Sequence, residues 1–345
     1  MIPLLKSPVP NDLGLSIPGN LPWFEVLIVI GFILHLIYVN IVVAGSVNAV
    51  LFEIRGILKK DGVADKLAYH LAALVSIHKS IAVVLGVAPL LIISTIYTQF
   101  FYPSTILIGK WWLMLIPLLI ISFLLLYVYK YTWERWRERK SLHLSFGIAG
   151  AAILLFVPLI FITNVASMLH PEMWAGSKGF LDSLFRYPTI WQRYFHFMSA
   201  SFAIIGMYMY WWGRRRSRKS GEAEFLLAQK FGKGTAFLFT LLQLIAGPFL
   251  LLSMSKEVRD HFLGGSIFHT VLLGIAVILA IALIILLYKL YRADSRKLFI
   301  ASVTLLLVIM GLMSWIRHEV RELYLAPYME ESPRNVQDGA GKVDP

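Results

Sequence analysis

The chain has 345 residues, 58% of them hydrophobic and 15% charged, with a mean hydropathy of +0.71, an apolar excess that one soluble core cannot use. Its formal net charge of +12 falls in clusters between apolar runs, which makes it a topology signal with some attraction to anionic membrane lipid and argues against nucleic-acid binding. The absence of cysteine excludes disulfides, thiolate-ligated clusters and covalent c-type haem attachment.

Residues 1–22 are broken by Pro and Gly and read as an outer N-terminal segment, with no cleavable signal peptide evident. Eight apolar runs follow, at 24–50, 74–98, 110–130, 146–168, 191–212, 234–254, 266–289 and 298–317. Each is near the ~20 residues that cross a ~30 Å hydrocarbon layer. Continuous runs of this length suit helices and not the alternating strands of a barrel. The fold class is therefore all-α, a polytopic membrane helical bundle spanning residues 23–325. Residues 326–345 read as a polar, disordered outer tail, and no repeat of solenoid period is visible.

The turns after runs one, three, five and seven carry Arg55, Lys59, Lys60 and Lys66, then Lys130, Arg135, Arg137, Arg139 and Lys140, then "GRRRSRK" at 213–219, then Lys289, Arg292, Arg296 and Lys297. The opposite turns are nearly bare of them. The positive-inside rule places these four turns in the cytoplasm and both termini outside, across the cytoplasmic membrane of a bacterium or archaeon.

Histidine depth then points to chemistry. His35 lies in the middle of run one, His78 in run two nearer the cytoplasm, and His143 at the cytoplasmic edge of run four. His170, His196, His261, His269 and His318 gather at the outer level, and His70 reads as a cytoplasmic loop residue. An interfacial imidazole such as His143, His170 or His261 is by itself most simply a satisfied polar group. His35, His196 and His269 sit inside apolar helices, where ionisable groups are costly and point to function. A b-type haem needs only axial imidazoles from facing helices and an apolar pocket. Zinc fits less well, since no HExxH-like spacing occurs and carboxylates are missing beside these histidines. A transporter would place polar groups at breaks near mid-membrane, for which Gly86–Pro89 and Gly247–Pro248 are the candidates.

Three segments, "FILHLIYVNIVVAGSVNAVLFEIRG", "LIFITNVASMLHPEMW" and "QRYFHFMSASFAIIGMYMYWWGRRR", resemble in order and spacing the first, fourth and fifth helices of subunit I of the cytochrome bd quinol oxidases. The resemblance covers about the first 235 residues well and the rest loosely. It implies haem iron ligation by His35 and His196. Where that family binds a haem between the fifth-helix His and a Met early in a later helix, this chain has His269 in "GGSIFHTVLLG" as the expected partner of His196, and where it has a Glu three residues before an Arg, this chain has His318 before Arg321. The implied metal ligands are thus His35, His196, His269 and His318. Glu322 would orient His318, Arg317 and Arg321 would pair with haem propionates, and His78 would join His35 at a further haem, although His35 facing His318 is an open alternative.

Two departures from the family bear on activity. Its third helix carries buried glutamates, whereas "IGKWWLMLIPLLIISF" offers Lys110 and no acid. Its long outer quinol loop is reduced here to "SKEVRDHFLGG", which keeps Lys256, Glu257, Arg259, Asp260 and His261. The sequence therefore reads as an iron-binding respiratory-chain cytochrome b with two or more b haems, and a quinone as a further ligand. It would relay electrons between the quinone pool and a periplasmic c-type cytochrome or redox subunit, within a larger complex. A terminal quinol oxidase subunit and a non-haem transporter or structural subunit are the alternatives.

Overall fold

Without water to bond to, a backbone in hydrocarbon must bond to itself, and the apolar runs do so as helices. The computed structural model describes residues 7–10, 17–331 and 336–337. Its helices are α1 (Leu21–Lys59), α2 (Gly62–Ile96), α3 (Thr98–Leu107), α4 (Gly109–Tyr131), α5 (Lys140–Leu169), α6 (Phe180–Arg186), α7 (Ile190–Ser220), α8 (Ala223–Leu252), α9 (Lys256–Asp260), α10 (Ile267–Arg292) and α11 (Arg296–Glu331). Two-residue strands β1 (Ile17–Pro18) and β2 (Val336–Gln337) pair in parallel. The molecule is a polytopic helical membrane bundle.

Each of the eight apolar runs is one long helix, and seven of these are long and apolar enough to cross a membrane. The eighth, α7, has the length but carries Gln192, Arg193, His196, Ser199 and Ser201 in its first half. It packs against α1, α5 and α8, which bring it polar and apolar partners. The helices also outrun the apolar segments. Because α2 starts at Gly62, His70 is helical and half-buried between Trp212 and Phe225, not in a loop. α11 continues to Glu331, past the boundary drawn at 325, and most of the remaining tail lies outside the described residues. α2 runs unbroken through Gly86–Pro89 and α8 through Gly247–Pro248, so neither pair opens a helix.

Four hairpin-like pairs, α1 with α2, α4 with α5, α7 with α8 and α10 with α11, build the bundle, and α1 also touches α5, α7 and α11. Its buried stretch from Asn40 to Gly56 is the centre of the main core, with Leu67, Leu71 and Val75 of α2 and Ile205 and Met209 of α7. Small residues allow the closest approach. A Cβ on Gly206 would lie 2.5 Å from the Ala236 nitrogen, and one on Gly232 2.5 Å from the Tyr210 nitrogen, so α7 and α8 meet backbone to backbone.

The α1–α2 turn is tied by Asp61, whose carboxylate accepts from the Val63 and Ala64 amides, both at 3.1 Å, and meets Arg55 at 2.8 Å. The Ala64 amide first, and Arg55 after it, hold the Asp61 carboxyl below its ordinary range. Its contribution is therefore complete above that range and is lost as pH falls through the lower folded-state value. Asp61→Ala should cost about 1 kcal/mol as a lost N-cap, and the difference from wild type should shrink in strong acid, read by thermal melts of the detergent-solubilised protein across pH. Gly232→Ala should force α7 and α8 apart and cost roughly 1–3 kcal/mol by overpacking. An unchanged melting midpoint would mean that these backbones are not in contact.

Candidate functional site

Two contacts set a depth scale between α1 and α7. The Ser201 hydroxyl donates to Asn40 Oδ1 at 2.8 Å, and a Cβ on Gly45 would lie 3.6 Å from Ile205. Numbers rise together on both sides, so the helices run parallel. His35 and His196 each lie five residues, roughly 7.5 Å, beyond the Asn40–Ser201 pair on the side away from the basic turns. The two imidazoles therefore share a layer.

Within that layer His35 is held from α2. Its Nδ1 meets the Ala82 carbonyl at 2.9 Å, which makes Nδ1 the donor and leaves Nε2 with the lone pair. The ring lies on Gly86, where a Cβ would come within 2.7 Å of Cε1. His78, one turn before Ala82, repeats the pattern with Nδ1 on the Leu74 carbonyl at 2.8 Å and Tyr38 and Tyr208 around the ring. An Nδ1–H held by a carbonyl is the usual support for an imidazole that ligates metal through Nε2. In α7, His196 Nδ1 is shielded and has no hydrogen-bond partner among the described residues, and the His196 backbone carbonyl accepts from Gln243 at 3.3 Å.

The remaining histidines are engaged differently. His269 uses both nitrogens, Nδ1 with Ser266 at 2.9 Å and Nε2 with Glu319 at 3.3 Å, and so links α10 to α11. His318 is buried, with Nε2 4.0 Å from Glu25, and the Glu322 carboxylate, which accepts from Tyr97, lies within 4.8 Å of both. Glu25 is ten residues, roughly 15 Å, along α1 from His35, so His318 and His35 occupy different layers. His170 meets Glu172 at 2.9 Å, and His143 is fully buried between Glu53 and the Tyr129 carbonyl.

Three guanidinium groups gather at the outer edge of this layer. Arg193, one turn before His196, donates to Thr189 and has a shielded Nη2 with no partner. Arg317 lies 3.9 Å over the Phe32 ring, and Arg321, over Tyr97, has a shielded Nη1 with no partner. The charges of the three act on one another. Among the described residues none is ion-paired with a carboxylate. Like charges brought together out of water are unfavourable without an anion. The arrangement thus fits a group that offers carboxylates to arginine and a metal to imidazole, as haem does.

Sequence reasoning identified Arg317 and Arg321 but missed Arg193, whose signal was its place one helical turn before His196 in "QRYFHF". It also missed two buried ionisable groups, Glu53 in α1 and Lys79 in α2, the latter packed on the Phe123 and Tyr127 rings of α4. The absence of acid in α4 stands.

No family model and no curated protein matches the chain. Among solved structures it is similar to a chain of the bd oxidase from Geobacillus thermodenitrificans, at 13% identity and a TM-score of 0.67, over 92% of this chain and 90% of that one. At this identity the likeness is one of architecture, and the chain has a bd-oxidase-like fold.

Proposed function

We propose that this chain is a membrane-embedded b-type cytochrome that relays electrons between the quinone pool and a redox partner on the face away from the basic turns. The observation that carries this reading is the cluster of Arg193, Arg317 and Arg321, none of them ion-paired with a carboxylate among the described residues, with Arg193 one turn from His196, whose Nδ1 is shielded and has no hydrogen-bond partner among them. His35 and His196 would hold a haem in that layer, and His78, one turn nearer the basic turns, would hold a second. Bound there, haem iron supplies one-electron transfer. The protein's own part is to fix the imidazole tautomers through Ala82 and Leu74 and to neutralise the propionates with arginine.

The basic turns face the cytoplasm in this reading, which sets the arginine cluster toward the outer surface and suits a c-type cytochrome or a periplasmic redox subunit as partner within a larger complex. The bd-oxidase-like fold also supports a quinol oxidase subunit. Against that second reading, α4 carries Lys110 and Lys130 and no acid, and the connection from α8 to α10 is short, with α9 its one α-helical turn.

The test is a dithionite-reduced minus air-oxidised spectrum with pyridine haemochrome quantification of the purified chain. It should give b-type absorption and at least two haems per chain, with one lost in His196→Ala and in His35→Ala. Gly86→Ala should shift the spectrum of the His35 haem, because its Cβ enters the space of the ring. His269→Ala should keep its full haem content, since Ser266 and Glu319 occupy both ring nitrogens; haem loss there would return His269 to the ligand set. A colourless wild-type protein would falsify the cytochrome reading and favour a non-haem carrier.

A further inference from the structure

At the end of the bundle that bears the basic turns, α1, α2, α4 and α5 enclose a second polar cluster, to which the cytochrome reading assigns no part. Glu53 and His143 are both fully buried, and His143 Nδ1 meets Glu53 Oε1 at 2.7 Å. On its other side His143 Nε2 meets the Tyr129 carbonyl at 2.7 Å. A carbonyl only accepts, so Nε2 carries hydrogen. Nδ1 then either carries a second hydrogen, which it donates to the Glu53 carboxylate, or accepts one from a protonated Glu53. In both cases the pair holds one proton more than a carboxylate beside a neutral imidazole. Without that proton, two lone pairs would face each other at 2.7 Å.

The surroundings suit a proton that comes and goes. Glu53 Oε2 and the Tyr129 hydroxyl are both shielded from solvent, and the hydroxyl is near enough to interact with the Glu53 carboxylate. Lys140 Nζ lies 3.5 Å from Glu53 Oε1 and 2.7 Å from Asp65 Oδ1, and the Lys140 and Asp65 side chains are 21% and 31% exposed. They connect the buried pair to solvent. Trp133 closes the remaining side, against the His143 ring and under the Lys140 ammonium. The facing ionisable groups are thus Glu53 from α1, Asp65 from α2, Tyr129 from α4, and Lys140 and His143 from α5. With the shared proton in place their charges cancel, and its removal leaves a net negative charge in a dry site, a state that favours recapture.

We propose that Glu53 and His143 form a proton-binding site that exchanges one proton with the basic-turn side of the membrane through Lys140 and Asp65. The pair shares that proton, which passes between Glu53 Oε1 and His143 Nδ1, and its source is solvent water. Glu53 lies 18 residues, roughly 27 Å, along α1 from His35, so the site is separate from the histidine layer and does not rest on the haem reading.

The experiment is infrared and 15N-histidine magnetic resonance spectroscopy of the full-length protein in detergent at neutral pH, followed by transfer into D2O. Wild type should show either a protonated carboxylic band that Glu53→Gln removes or an imidazolium at His143 that Glu53→Gln turns neutral. Exchange of that proton for deuterium should be at least tenfold slower in Lys140→Met and in Asp65→Asn, two variants at the rim that leave the buried pair intact. A neutral His143 beside an ionised Glu53 in wild type would overturn the proposal. So would an exchange rate that neither rim variant changes. Both signals are read without reference to haem content, so failure here and failure of the cytochrome reading are separate results.

Discussion

Inside a hydrocarbon layer a polar side chain must be met by another group, and several of those meetings occur on α1. Asn40 accepts from Ser201, His35 is taken up by the Ala82 carbonyl, Glu53 by His143 and Lys140, and Glu25 by His318. A helix with so many obligations must touch many neighbours, which explains why α1 packs against α2, α5, α7 and α11. The same requirement makes α7 tolerable. Its Arg193, His196 and serines would be costly against lipid but not among α1, α5 and α8.

The two ends of the bundle treat charge in opposite ways. At the basic-turn end, Glu53, Asp65, Lys140 and His143 compensate one another almost completely, and aromatic rings seal them. At the other end three arginines converge with no carboxylate paired to them among the described residues. Compensation suits a proton held by the protein itself, while uncompensated positive charge suits an anionic group brought from outside. This asymmetry, more than any single histidine, distinguishes the two ends of the bundle.

A shared architecture at 13% identity follows from how little a membrane bundle asks of most positions. Lipid-facing residues need only be apolar, and helix contacts need small residues at a few places such as Gly206 and Gly232. Chemistry is less forgiving. α4 has no acid, and it meets α2 through a buried Lys79 packed on Tyr127.

The sequence by itself determined the helix class, the number of long helices and their limits to within a few turns, because apolar length and Lys/Arg clustering are local properties of the chain. It also marked His35 and His196, since an imidazole inside an apolar run is visible without knowing its neighbours. What it left undecided was pairing. His35 and His196 share a depth only because Asn40 meets Ser201, while His318 stands apart from His35 because it meets Glu25. Arg193, Glu53 and Lys79 drew no notice as isolated letters. Their roles arise from residues tens to more than a hundred positions away, and only the packing of one helix on another decides which charge meets which.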